Sequence, residues 1–161
     1  MKKYLLAGLL LLVGAFAFAQ DKGDVCTPDS CYENGRKKWN MSHPMPADVF
    51  AQLQKGTLKG LIVVEVGRIG CHNCAILKRD LESSGALKYL SDNGVKFFQI
   101  DAFDPANAAF CNTYSEGMVP VLMFFKDSGL ITKKIGYSAS RDRNKEAIFQ
   151  DLRQIIDPYL Q

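Results

Sequence analysis

Apolar positions along the chain change period several times, and each change marks an element. Leu61 to Val66 is a short continuous apolar run carrying one charge, Glu65, and it predicts a central strand buried on both faces. Val95 to Ile100 predicts a second strand closed by Asp101. Val121 to Phe125 and Leu130 to Ile135 predict two more, joined as a hairpin through Asp127-Ser128-Gly129. Between these runs the period becomes helical. Val49, Phe50 and Leu53 lie on one face of a short helix over Pro46 to Gln54, with Pro46 in its first turn. A helix-like stretch from Ala75 to Glu82 starts an apolar face of Ile76, Leu77, Leu81, Leu87 and Leu90, interrupted near Ser83-Ser84-Gly85. Asp104-Pro105 reads as an N-cap and first-turn proline opening a helix through Tyr114 that ends before Gly117. Ile148, Leu152, Ile155, Ile156 and Tyr159 define an amphipathic C-terminal helix. Strands that alternate with helices and finish in a hairpin predict an α/β fold: a mixed central sheet, helices on both faces, a C-terminal β-hairpin and a last helix.

The N-terminus follows a different pattern. Lys2 and Lys3 precede an apolar stretch from Leu5 to Phe18, and Ala17-Phe18-Ala19 places small residues where a signal peptidase cuts, so residues 1–19 read as a secretory signal peptide. The apolar stretch is shorter than the roughly 18 to 20 residues that cross a bilayer, and no cysteine follows the small residues to carry a lipid. The expectation is a periplasmic or otherwise exported protein without stable membrane insertion. Residues 20–45 are polar and turn-rich and read as an extension wrapped on the domain; residues 46–161 form that single domain.

Charge removes one class of function. The 161-residue chain has a formal net charge of +3, of which the signal lysines supply two, and Arg36-Lys37-Lys38 is its one compact basic run. That balance provides no nucleic-acid surface.

The five cysteines all follow the signal, and the odd count leaves at least one thiol outside a stable pair. Cys26 and Cys31 are the candidates for a structural disulfide in an oxidising compartment. A zinc site shared by Cys26, Cys31, Cys71 and Cys74 is a sharper alternative, disfavoured because the first pair lacks the usual tight spacing; no metal is expected. Cys111 suits a buried small apolar position, and pairing with Cys26 or Cys31 stays open.

Cys71-His72-Asn73-Cys74 carries the chemistry. It follows the Leu61 to Val66 strand across Gly67-Arg68-Ile69-Gly70 and leads into a helix. At such a junction the first sulfur meets unpaired backbone N–H groups and the positive end of the helix dipole, which favour thiolate over thiol. The second sulfur sits one turn further in, where it can resolve a mixed disulfide formed by the first. His72 can carry a proton near neutral pH beside the nucleophile. Haem attachment would need histidine where Ala75 stands. Trp39, His43 and the pairs Phe97-Phe98 and Phe124-Phe125 read as loop or core residues.

From Ala47 to Tyr159 the chain resembles the thioredoxin superfamily. The resemblance rests on the CxxC opening the first long helix, on Glu65 six residues before Cys71 where the family carries a carboxylate, and on Val119-Pro120 before the hairpin, where the family has a cis proline. Phe98-Gln99-Ile100-Asp101 and Gly136 fall in family positions as well. Departures are Gly70 in place of a tryptophan, His72-Asn73 inside the motif, and Ala75 where a basic residue is common. What the resemblance implies is a thiol–disulfide oxidoreductase acting on protein thiols and disulfides without a cofactor. Cys71 attacks, Cys74 resolves, Glu65 takes the proton, and Val119 with Pro120 and His72 meets the substrate. The entry helix and the Lys59-Gly60 lead also resemble exported reductase domains, which implies the reductive direction and a membrane electron-transfer protein as partner. The competing reading is a non-enzymatic binding module holding a static disulfide or a thiol-bound metal.

Overall fold

Four strands form the central sheet in the order β4-β3-β5-β6, where β3 is Leu61–Gly67, β4 Lys96–Asp101, β5 Val121–Lys126 and β6 Gly129–Ile135. A computed structural model describes residue 27 and residues 30–33, 36–137 and 145–160, with side chains omitted for 31–33 and 36. The proposed signal peptide, Cys26 and the Cys31 side chain therefore lie outside the described residues.

β3 and β4 are parallel, and the crossover between them consists of α2 (His72–Ser83) and α3 (Ala86–Asp92). β5 and β6 are antiparallel and complete a mixed sheet. The two helices separate where the sequence pattern breaks: Ser84 ends the first, its hydroxyl accepts from the Ala86 N–H at 3.2 Å, and Gly85 takes φ +83°, which a side chain would resist. At the hairpin, Asp127 and Ser128 both have positive φ, the turn that suits the twist of the strands. The Asp127 carboxylate accepts from the Gly60 N–H at 2.9 Å, which ties the turn to the start of β3 and lowers its pKa.

The period of two along the strands divides the core. Leu61 and Val63 join Leu122 and Phe124 beneath α2, α3 and α5 (Lys145–Ile156). Ile62, Val64 and Val66 join Val121, Met123 and Phe125 beneath α1 (Ala47–Gln54) and Phe110. Phe124 and Phe125 are thus buried on opposite faces, each contributing about 1.5–3 kcal/mol. The helix expected after Asp104 is composite: a 3₁₀ turn Pro105–Asn107, one turn of α4 (Ala108–Phe110) and a π turn Cys111–Ser115. A 3₁₀ turn, Asp157–Tyr159, likewise extends α5. No helix among the described residues is long and apolar enough to cross a membrane.

The polar extension is more regular than its sequence suggests. β1 (Ser30–Glu33) and β2 (Arg36–Trp39) pair antiparallel in a separate two-stranded sheet. Past them the chain runs along the edge of β4, where Gln99 N–H donates to the His43 carbonyl at 2.7 Å and Met45 N–H to the Gln99 carbonyl at 3.0 Å. These bonds cover part of an edge that would otherwise expose unpaired backbone groups.

Trp39 anchors the hairpin. It is 3% exposed, and its backbone N–H donates to the buried Asp101 carboxylate at 3.0 Å. Its ring lies so close to Gly67 that a Cβ there would fall 2.7 Å from the ring. Gly67→Ala should therefore cost about 1–3 kcal/mol by overpacking. Chemical denaturation checks this, with Trp39→Leu in the same chain relieving most of the loss.

Candidate active site

The link between β3 and α2 turns tightly before the cysteines. Gly70 has φ +73°, and the Cys71 N–H reaches back to the Arg68 carbonyl at 3.4 Å. Cys71 then becomes the N-cap of α2. Its Sγ accepts from the Cys74 N–H at 3.2 Å, a first-turn amide that also reaches the Cys71 carbonyl at 3.1 Å. The same donor and the helix dipole would hold a thiolate at Cys71.

Cys71 and Cys74 are joined as a disulfide with Cα atoms 5.2 Å apart. The two sulfurs differ in access: Cys71 is partly exposed and Cys74 is 0% exposed. His72 and Asn73, between them, are exposed, and His72 makes no hydrogen bond or ion pair with the described residues.

Glu65 sits on β3 with the parity of Leu61 and Val63, so it faces the layer containing α2. It is 0% exposed. Oε2 accepts from Gln99 Nε2 at 2.8 Å, while Oε1 is buried with no hydrogen-bond partner among the described residues. Burial pushes its pKa up from 4.5 to about 8; the Gln99 hydrogen bond and the Lys78 charge pull it down, and Glu82 adds to the rise. Lys78 and Glu82 are on α2, at one and two turns beyond Cys74, and their ion pair spans 3.9 Å. Lys78 Nζ also donates to the Asn40 carbonyl at 2.7 Å.

The Val119–Pro120 peptide bond is cis. Val121 pairs with Val66, which places Val119 and Pro120 at the end of the sheet from which the chain enters Cys71, and the Pro120 carbonyl accepts from Gly136 N–H at 2.8 Å. Cys111 lies apart from this group. It packs in the core beneath α1 on the other face of the sheet, is a free thiol, and burial raises its pKa. No cluster of three or more His, Cys, Asp or Glu that could hold a metal occurs among the described residues.

Lys78 and Asn40 were not singled out from the sequence, and Gln99 only as part of a strand; the structure sets Gln99 and Lys78 at Glu65 and seats the Lys78 ammonium on the Asn40 carbonyl. A signal existed for two: Gln99 is a polar residue set between Phe98 and Ile100, and Lys78 follows Cys74 by four positions, on the same side of the helix.

No family model matches the sequence, and no curated protein matches it closely. Solved structures do. Mitochondrial thioredoxin 3 from Saccharomyces cerevisiae in its oxidised form superimposes with a TM-score of 0.53 at 17% identity, over 70% of this chain and 95% of that one. Thioredoxin from Trypanosoma brucei brucei gives 0.53 at 20% identity, over 72% and 92%. Oxidised thioredoxin O2 from Arabidopsis thaliana gives 0.51 at 16%, over 71% and 89%.

Proposed function

We propose that this chain, which has the thioredoxin fold, is a thiol–disulfide oxidoreductase that exchanges disulfides with protein substrates through Cys71 and Cys74. The observation that carries the reading is the asymmetry of the pair. One sulfur is accessible and capped by a helix N–H; the other is sealed beneath it.

In the reductive half-cycle the Cys71 thiolate attacks a substrate disulfide. A Cys71–substrate S–S bond forms, the substrate S–S bond breaks, and the departing thiolate takes a proton from water. Cys74 then gives its proton to the Glu65 carboxylate and attacks Cys71 Sγ, closing the Cys71–Cys74 disulfide and releasing the second substrate thiolate. Two electrons pass from the dithiol to the substrate. The backbone at Val119 and Pro120 offers an edge to the substrate strand, and exposed His72 lies on the same rim.

The direction proposed is reduction of exported proteins, with residues 1–19 removed on export and a membrane electron-transfer protein as the dithiol donor. The Lys59-Gly60 lead and entry helix support it. Thiol labelling with mass readout at controlled redox potential tests the whole reading. A pair titrating reversibly near thioredoxin's roughly −270 mV is expected. A midpoint near about −120 mV would assign an oxidase instead. An inert pair, or stoichiometric zinc, would make the chain a binding module.

A further inference from the structure

Resting on the role given to Glu65 above, we infer that the N-terminal segment from Trp39 to Met45 is part of the active site: a strap that fixes which oxygen of the Glu65 carboxyl receives the proton. This short stretch touches three of the elements around Glu65. Trp39 packs on the Gly67 backbone of β3, two residues beyond the carboxylate and four before Cys71. The Asn40 carbonyl holds the Lys78 ammonium of α2 at 2.7 Å. His43 and Met45 clamp Gln99 of β4.

The clamp on Gln99 decides the chemistry. The His43 backbone N–H donates to Gln99 Oε1 at 3.0 Å, so the amide oxygen is occupied from the strap. Only the NH₂ group is left to meet Glu65, and it donates to Oε2 at 2.8 Å. An oxygen already accepting that bond is the poorer place for a proton. The proton therefore resides on Oε1, which has no partner among the described residues and is the acceptor left for the Cys74 thiol. Without the His43 bond the amide could turn over and present its own oxygen to the carboxyl.

The groups that face Glu65 are few. α2 contributes Lys78 and Glu82 with the cysteine pair at its start; β4 contributes uncharged Gln99 and β5 apolar Leu122. Loss of the Gln99 donor, or of the Lys78 charge it shares the site with, removes an influence that favours the carboxylate.

The test follows the resolving step by stopped flow, using neutral 2-hydroxyethyl disulfide and the full chain over pH 6 to 10, beside isotope-edited infrared of the Glu65 carboxyl. Gln99→Met should move the midpoint of resolution up by about one unit, and slow it about tenfold at pH 7 because the ionised fraction falls in proportion. His43→Pro removes the strap's N–H to Gln99 and, with it, the His43–Phe97 ring contact; it should move the midpoint the same way by less, while the control His43→Ala, which loses the ring contact and keeps the N–H, leaves it in place. Wild-type midpoints in both Gln99→Met and His43→Pro would overturn the inference, and His43→Pro alone decides it if Gln99→Met does not fold. Glu65→Gln run in parallel separates the failures. A profile unchanged by Glu65→Gln removes the acid role and the strap with it, whereas a profile changed by Glu65→Gln but untouched by His43→Pro overturns the strap alone.

Discussion

Cys74→Ser is expected to accumulate a covalent adduct between Cys71 and a disulfide-bearing protein, while Cys71→Ser forms none. In the first variant the accessible sulfur keeps its helix-end environment, because the donor is the backbone N–H of residue 74 and not its side chain. Attack still occurs, and the group that would close the ring is missing, so the mixed disulfide persists. In the second variant the remaining thiol is buried without access to substrate, and turnover should fall on the order of 10³-fold or more. Non-reducing electrophoresis of acid-quenched samples followed by mass analysis checks both. Equal adduct in the two variants, or residual turnover in Cys71→Ser close to that of the native protein, would sink the assignment of roles.

The contrast between the sulfurs illustrates what the sequence makes legible. A CxxC after a continuous apolar strand places both cysteines by local rules: a strand end, a tight link with Gly70 at positive φ, and a helix start. Local periodicity likewise locates the strands, because buried β3 is apolar at nearly every position and β5 alternates its side chains between two cores. The break at Gly85 is local too. The extension has no such logic. Its contribution comes from residues 28 to 66 positions away in sequence, as in Trp39 to Gly67, Asn40 to Lys78, His43 to Gln99 and Lys38 to Asp104. No period along the chain encodes a backbone N–H that meets a side chain at that distance. Asn34-Gly35, between Glu33 and its partner Arg36, was the one local sign that residues 20–45 held a hairpin, since that dipeptide favours a two-residue turn. Glu65 falls between these cases. Its place in an apolar run is plain in the sequence, whereas its complete burial and single hydrogen bond require β4, α2 and the strap to be in position.

Burial of Glu65 also governs how stability depends on pH, and Glu65→Gln should abolish that dependence. In the folded chain the carboxyl titrates at about 8, against 4.5 for the ordinary group. Between those values the folded protein keeps a proton that the unfolded chain has lost, so the stability that Glu65 contributes is greatest below about pH 4.5 and is lost as pH rises through 8. Each unit of the window is worth about 1.4 kcal/mol, and the cumulative loss amounts to a few kcal/mol once partial relaxation of the site is allowed for. Glutamine keeps the shape and stays neutral at every pH. Its amide oxygen can still accept from the Gln99 NH₂ group, so the variant should lack the slope and exceed the native protein in stability at pH 8 and above. Urea unfolding of the oxidised protein from pH 5 to pH 9 measures both. The same variant should slow the resolving step, because no carboxylate remains to take the Cys74 proton. A gain in stability joined to a loss of rate is what a buried charge kept for proton transfer produces; equal slopes in the two proteins would mean that Glu65 does not titrate in that window.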